Sequence, residues 1–391
     1  MSSISQPRQE KKSAIAGPGS LLAILGGGQL GRMMAMAART MGYRVRVMDP
    51  EQACPASFVA DETIVGRWDD VDAARRLAAG ADAVTLEIEQ IGVDALSAVA
   101  EVAPLRPGVE PIRIIQDKTL QKTWLAEHGF PVGPFCVVRT EAELREAVPA
   151  LGGTVFVKIG RGGYDGRGQA RIGPGAARRL GFGEVWRELG LRPCVAEQEL
   201  DLDCEISVMA ARNPSGEVRT YPAARNQHEN QILAWSVLPA GVPKALESRA
   251  EELAAAIVAK LGIEGLLCVE IFVTTGGELL VNELAPRPHN SYHQSERGCV
   301  TSQFEQAVRA VCNLPLGSTE LITPAAIVNL LGELWMNGVP NFAAALAVPG
   351  VRLHLYEKHT PRRGRKMGHL SATGTTPEEA LERVLEAKRR V

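Results

Sequence analysis

Neither sign of charge dominates this sequence: 43 Lys and Arg stand against 45 Asp and Glu, a net charge of −2. A protein that coats nucleic acid carries a broad basic excess, so that class is set aside, while local basic patches stay compatible. Cys-x-x-Cys spacing is missing too. The seven cysteines, at 54, 136, 194, 204, 268, 299 and 312, are scattered and odd in number. That pattern fits reduced cytosolic thiols better than disulfides or a zinc site. No apolar run reaches the roughly 18 residues of a membrane span, and neither an internal repeat nor a low-complexity segment is present. Lys11-Lys12 before an apolar run has the outline of a signal peptide. Pro18 and Gly19 break it, and residues 1–20 read as a disordered tail.

At 391 residues the chain exceeds one ordinary core and suggests two to four domains. Its 45% hydrophobic and 23% charged residues are those of a soluble globular protein. A strand at Leu21–Leu25, a glycine turn, a helix with apolar residues at Leu30, Met33, Met34, Ala37 and Met41, and a strand at Val45–Met48 make a βαβ opening. Residues 21–116 therefore read as a doubly wound α/β domain. A helix from Lys118 to His128 and two strands around a second glycine loop suggest a small α/β lid over 117–195. Residues 196–318 read as a mostly antiparallel α+β unit, and 319–391 as a β-rich subdomain closed by the helix Pro377–Arg390.

The second glycine loop is the most informative stretch. The run Val155–Ile159 carries Lys158 and opens into Gly160, Gly162, Gly163, Gly166 and Gly168. Glycine lets backbone N–H groups approach a ligand closely, so a strand, a lysine and such a loop suit phosphates. No Gly-Lys-Ser/Thr follows, so this is not a P-loop; a mobile hairpin loop is the plainer alternative. The first turn, Gly26–Gly31, satisfies G-x-G-x-x-G with Asp49 near the position of a ribose-binding acid, which favours an NAD-type oxidoreductase. A tight β–α turn explains the same glycines without any dinucleotide.

Cys268–Val273 and Glu278–Glu283 flank Gly276-Gly277, a dipeptide suited to a two-residue hairpin turn. Such a turn sets Glu270 directly opposite Glu283. Like charges there are destabilising, and a divalent cation reverses that sign, since two carboxylates plus ligand phosphates commonly hold magnesium. A frayed hairpin mouth with both carboxylates in water is the alternative. Strict alternation turns Asn282 to the other face unless the strand bends locally. Arg287, His289 and Asn290 follow in a proline-stiffened loop and offer donors for a small anion. Arg352 to Lys366 holds six basic residues against the single acid Glu357, which suits a phosphate-bearing ligand or a solvated basic face.

Jointly, Lys118, Lys158, Gly162–Gln169, the run from Asn282 to Ser291 and Gly364–His369 resemble the ATP-grasp family, specifically its purine-biosynthesis branch. The likeness also takes in Gly27–Arg32 and runs from about residue 21 to the C-terminus. It implies a three-domain ATP-grasp fold: an N-terminal doubly wound α/β domain, a small mobile lid and a C-terminal α+β domain, with ATP between the last two. It also implies ATP-driven carboxylation of the exocyclic amine of 5-aminoimidazole ribonucleotide by bicarbonate, through carboxyphosphate, in a cytoplasmic homodimer. By position, Lys118 and Lys158 would contact ATP phosphates under Gly163, Tyr164, Asp165, Gly166, Arg167, Gly168 and Gln169. Glu197, Gln198, Glu199 and Leu200 would form the adenine hinge, with Glu205 on the ribose and His228 nearby. Glu270 and Glu283, with Asn282, would hold Mg2+. Arg287, His289 and Asn290 would orient bicarbonate. Gln29, Leu30, Tyr164, Asp165, Lys358 and Arg365 would contact the ribonucleotide.

Tyr292, Glu357 and an extra residue near Arg362-Arg363 depart from the family pattern. The rivals are another ATP-grasp ligase, such as the formate-dependent glycinamide ribonucleotide enzyme, an NAD-dependent oxidoreductase, and a non-catalytic nucleotide-binding regulator.

Overall fold

The computed structural model describes residues 14–163, 168–174 and 181–391. The opening unit holds β1 (Leu21–Leu25), α1 (Gln29–Thr40), β2 (Arg44–Asp49), β3 (Glu62–Val65), α2 (Val71–Ala78), β4 (Ala83–Leu86) and α3 (Val93–Val102). The four strands pair in parallel in the order β3-β2-β1-β4. Every residue of β1 is buried, as a parallel sheet covered on both faces requires. Leu77, Leu96 and Val99 cover one face. On the other, Met33 and Met34 share a core with Phe304 and Val308, which docks this unit against the catalytic body. The disordered tail expected for residues 1–20 does not hold for residues 14–20, and the rest of that segment lies outside the described residues. Ala16 is buried, its N–H donates to the Cys312 carbonyl at 3.0 Å, and its carbonyl accepts from the Tyr43 hydroxyl at 2.6 Å.

Helix α4 (Lys118–Glu127) comes next, followed by β5 (Phe135–Val138), α5 (Glu141–Ala150), β6 (Val155–Ile159), β7 (Gln169–Ile172), α6 (Phe182–Glu188) and β8 (Cys194–Gln198). The four strands form an antiparallel sheet in the order β5-β8-β6-β7. Leu144, Val148, Val185 and Trp186 close its small core. Two boundaries differ from the expected lid. Helix α4 buries Leu125 among Ile206, Val208 and Leu284, so it belongs to the large core. The sheet extends through Gln198, because β8 pairs with Val155 up to that residue.

The remaining strands are β9 (Leu202–Arg212), β10 (Val218–Thr220), β11 (Ala224–Glu229), β12 (Ile232–Leu238), β13 (Gly265–Thr274), β14 (Leu279–Ala285), β15 (Ala325–Leu331), β16 (Arg352–Leu355) and β17 (Lys366–Thr373). They build one nine-stranded sheet, ordered β14-β13-β9-β11-β12-β15-β17-β16 with β10 beside β9. Helix α7 (Lys244–Lys260) and α8 (Gln303–Val311) cover its first half, and α9 (Pro377–Arg390) its second. The C-terminal strands are therefore not a sheet of their own. Trp235 of β12 pairs with Val328 of β15, because the apolar run Ala325–Leu330 is buried throughout and needs a neighbour on each side. All seven cysteines are unpaired. No described helix is long and apolar enough to cross a membrane.

Candidate active site

A cavity of about 1010 Å³ opens where the three units meet. Gly163, Gly168 and Gln169 bound it from the lid; Lys118, Lys158, Glu197, Glu205, His228, Glu270, Asn282 and Glu283 line its interior; Gln29, Leu30, Lys358 and Arg365 stand at one end. Tyr164, Asp165, Gly166 and Arg167 lie outside the described residues.

The β13–β14 hairpin carries the acids, and Glu270 pairs with Glu283 as expected. The route differs. Near the turn Ile271 pairs with Val281, and a bulge between Glu270 and Ile271 leaves Asn282 as the extra residue before Glu283. That bulge is the bend Asn282 needs. Its amide nitrogen reaches Glu270 Oε2 at 3.4 Å, and its oxygen accepts from Lys158 Nζ at 3.2 Å. Burial, and then the neighbouring Glu283 charge, hold the Glu270 carboxyl above the usual carboxylate range. This costly pair of acids is the arrangement a cation relieves.

Three lysines stand around the cavity's acids. Asp117 caps α4 by accepting from the Thr119 and Leu120 N–H groups, which sets Lys118 at the first helical position and Lys122 one turn on. Lys118 Nζ lies 2.5 Å from Glu283 Oε1. Glu197, expected at the adenine hinge, sits between two ammonium groups: Lys122 Nζ at 2.7 Å on Oε1 and Lys158 Nζ at 2.5 Å on Oε2. Burial alone would raise its pKa, but Lys158 and Lys122 bring it down to about 2. Burial also pulls the Lys158 ammonium down, and Glu197 more than offsets it, so that its pKa is raised. Gln198 and Leu200 line the cavity. Glu199 does not: its carboxylate takes a bidentate pair from Arg171 at 2.7 and 2.8 Å. Glu205 and His228 are partners across β9 and β11, with Nδ1 to Oε2 at 2.7 Å.

In the loop after β14, His289 Nε2 lies 3.3 Å from Glu270 Oε1, and its Nδ1 is 2.8 Å from the Ser291 hydroxyl. Burial, then Arg287, hold its pKa well below the ordinary value, so the ring is neutral and steadies a carboxylate. Arg287 is engaged by Glu89 through two bonds of 2.6 and 3.2 Å. Asn290 is 6% exposed, and neither atom of its side-chain amide has a partner among the described residues. At the far end, Lys358 Nζ donates to Gln29 Oε1 at 2.7 Å and to the Lys366 carbonyl at 2.8 Å. Arg365 donates to the Thr360 carbonyl at 2.8 Å. Tyr292 is not among the lining residues: its single hydroxyl proton is shared between the Ser207 and Pro222 carbonyls, at 2.7 and 2.9 Å, so its departure from the family pattern is a matter of packing.

The first glycine turn is closed. Gly28 and Gly31 N–H donate to Glu87 at 2.7 and 2.8 Å, and Gly27 N–H donates to Asp49 at 2.9 Å. These are the amides a dinucleotide pyrophosphate uses, and Asp49 is the acid its ribose needs. Glu87 and Asp49 itself take up these amides, which removes the basis of the NAD reading. Glu87, Glu89, Lys122, Phe156 and Phe272 also line the cavity and were not singled out from the sequence. For Lys122 a signal existed, since Lys118 and Lys122 are four apart on a helix.

Three family models fall along the chain: the ribonucleotide synthetase preATP-grasp domain over residues 20–116, the ATP-grasp domain over 123–304, and the phosphoribosylaminoimidazole carboxylase C-terminal domain over 325–383. The chain is 41% identical to the N5-carboxyaminoimidazole ribonucleotide synthase of Bacillus subtilis (strain 168), across 94% of this chain and 95% of that protein. It belongs to the N5-carboxyaminoimidazole ribonucleotide synthase family. The family member of Brucella melitensis biotype 1 is 39% identical over 90% of this chain and 96% of its own. Among solved structures of this family, the Aspergillus clavatus synthase in complex with ADP and 5-aminoimidazole ribonucleotide superposes with a TM-score of 0.86. It is 31% identical and covers 95% of this chain and 99% of that one.

Proposed function

We infer that the chain carboxylates 5-aminoimidazole ribonucleotide to N5-carboxyaminoimidazole ribonucleotide at the cost of ATP, with bicarbonate as the carbon donor. The observation that carries this reading is the convergence in one cavity of Lys118 and Lys158, the Glu270/Glu283 pair and the unpartnered Asn290 amide. Bicarbonate is a poor electrophile, and its phosphorylation to carboxyphosphate supplies a leaving group for attack by the amine. Such a transfer needs positioning and charge neutralisation more than covalent help from the protein.

The like-charged, partly buried carboxylate pair fits Mg2+, which Glu270 and Glu283 would hold and which would supply neutralisation of phosphate charge. The chain's own residues do the rest. Lys118 and Lys158 supply positive charge to the polyphosphate. Phe156, Phe272, Leu202 and Val281 offer apolar walls for a base, and Glu205 with His228 a polar end for a ribose. Asn290 offers an amide to bicarbonate or carboxyphosphate, and neutral His289 steadies Glu270. Arg287 keeps its orientation through Glu89. Gln29, Leu30, Lys358 and Arg365 take the ribonucleotide at the far end, whose phosphate is remote from the reacting amine and can orient it. On the family resemblance we also propose a cytoplasmic homodimer, which sedimentation of the purified protein and fractionation of the source cells would check.

Coupled ADP release should require magnesium, bicarbonate and 5-aminoimidazole ribonucleotide together, and label from bicarbonate should enter the product. Full turnover without bicarbonate would sink the carboxylation reading. Turnover with formate and glycinamide ribonucleotide would instead favour the formate-using ligase.

A further inference from the structure

Lys122 has no part in the site as the motifs define it, yet it is the most thoroughly buried cation in the cavity wall, its side chain only 7% exposed. It stands on α4, a helix of the large core. Its ammonium makes two contacts, one of them across units: 2.7 Å to Glu197 Oε1, on the last strand of the lid, and 3.1 Å to the Val281 carbonyl on β14, within the large core. Val281 is the last regularly paired residue before the bulge that presents Asn282 and Glu283. Lys122 thus ties the lid strand carrying Glu197 to the strand carrying the metal-ligand candidates.

From this geometry we propose that Lys122 is a positioning residue for ATP: by sharing Glu197 with Lys158, it keeps the Lys158 ammonium aimed into the phosphate end of the cavity. The inference rests on the reading of this cavity as the ATP site. Glu197 is a single carboxylate between two ammonium groups, one on each oxygen. With both present the trio carries one net positive charge, and Lys158 still reaches Asn282 Oδ1 at 3.2 Å. Without Lys122, a carboxylate only 13% exposed has one cation left to satisfy both oxygens. It would draw Lys158 into a closed, neutral pair and away from the Asn282 side. A buried charge stripped of its partner is costly, so that rearrangement is favoured. The Val281 carbonyl would lose its donor as well, loosening the approach to the bulge. Lys122 acts through Glu197 and Lys158 and touches neither reacting atom.

The test is a double-mutant cycle on the full-length enzyme, with Lys122→Met and Glu197→Gln made singly and together. Binding of ADP with magnesium is measured by calorimetry, and KM separately for ATP and ribonucleotide. Lys122→Met should weaken ADP binding and raise the KM for ATP by about 10- to 100-fold, the range for a residue that orients a binding group. The KM for ribonucleotide should change by less than about two-fold. In the Glu197→Gln background, which has no carboxylate to share, the same substitution should do little, because coupled residues are not additive. Lys122→Arg keeps the charge and should recover most of the ADP affinity even if Lys122→Met proves poorly folded. An undiminished effect of Lys122→Met beside Glu197→Gln would overturn the inference, as would equal rises in both KM values with a lowered melting temperature. Wild-type enzyme that fails to bind ADP would overturn the ATP reading and this inference with it. Sound wild-type binding matched by Lys122→Met would overturn this inference alone.

Discussion

Two glycine-rich turns in this chain look alike in sequence and do opposite things. At the first, Gly26–Gly31, the backbone amides are spent on the protein's own acids, Glu87 and Asp49. At the second, the loop between β6 and β7, Gly163 and Gly168 border the open cavity, and Lys158 sits on the strand leading in. The glycines of the first turn are held by close approach: a Cβ on Gly31 would lie 2.5 Å from the Gly26 carbonyl oxygen, and one on Gly28 would lie 2.5 Å from Glu87 Oε1. Gly162, in contrast, has φ +85° with open space around it. A glycine pattern therefore reports that something comes near the backbone. What comes near is decided by which charges the fold brings in from elsewhere.

If the second turn serves ATP, the largest effects belong to the acids beneath it. Glu270→Gln and Glu283→Gln should each lower turnover at least about 100-fold, the upper end of what loss of a supporting metal-site residue costs. Glu270 has its carboxyl raised in the folded state by burial and by Glu283, so its stabilising contribution is full below the unfolded-state range and is lost as pH rises through the raised value. Glu270→Gln has no such loss. Without magnesium its melting temperature should equal or exceed the wild type, by more at high pH than at low. Near-native activity at low magnesium in either variant would break the pairing.

The next test separates the ends of the cavity. Arg365→Ala should raise the KM for the ribonucleotide far more than that for ATP, a loss of about 1.5–3 kcal/mol in kcat/KM, typical of a hydrogen bond to a charged group. Equal rises would move the C-terminal basic segment to the nucleotide end and undo the assignment of Gln29 and Lys358 to the ribonucleotide.

Gly31→Ala and Gly162→Ala probe the two turns directly. The first meets backbone and should cost about 1–3 kcal/mol of stability in denaturant titration. The second meets nothing and should cost only the left-handed backbone strain, roughly 1–2 kcal/mol. A larger cost at Gly162 than at Gly31 would reverse the contrast. The smallest effect lies outside both turns. Desolvation by the surrounding protein pushes Glu296, whose side chain is still 29% exposed, up to about 7, against Arg352 and Arg297. Its stabilising contribution is therefore present at acid pH and lost as pH rises through about 7. Glu296→Gln should leave turnover unchanged and raise the melting temperature at pH 8 but not near pH 4.5. A variant matching the wild type at both pH values would show that the carboxylate is solvated well enough to carry no such penalty.

Much of this architecture follows from local patterning. Leu21–Leu25, the helix from Lys118, the hairpin around Gly276-Gly277 and the helix Pro377–Arg390 were legible because apolar periodicity, caps and turn residues agreed. The opposition of Glu270 and Glu283 came out as expected but by compensation: the register at the turn, Ile271 against Val281, would by itself put Glu270 opposite Asn282, and the bulge restores Glu283. The bulge at Asn282 was not legible, because nothing in the strand's own residues announces which of two successive positions loses its pairing. Glu199 illustrates a second limit: it lies just past the end of β8, where alternation no longer fixes which way a side chain faces, and its carboxylate turns to Arg171 while Glu197, Gln198 and Leu200 line the cavity.

What the sequence determined by itself is the inventory and its spacing: two glycine turns, a lysine before one of them, two acids across a hairpin, and a basic run near the C-terminus. What the tertiary structure decided is the pairing. It closed the first turn with Glu87, just past the end of β4 and more than fifty residues away, and set Glu197 between Lys122 and Lys158. It joined the C-terminal strands to the catalytic sheet. The physical reason is the same in each case. Charges and strand edges must be satisfied once water is excluded, and the partner that satisfies them is whichever one packing brings within reach.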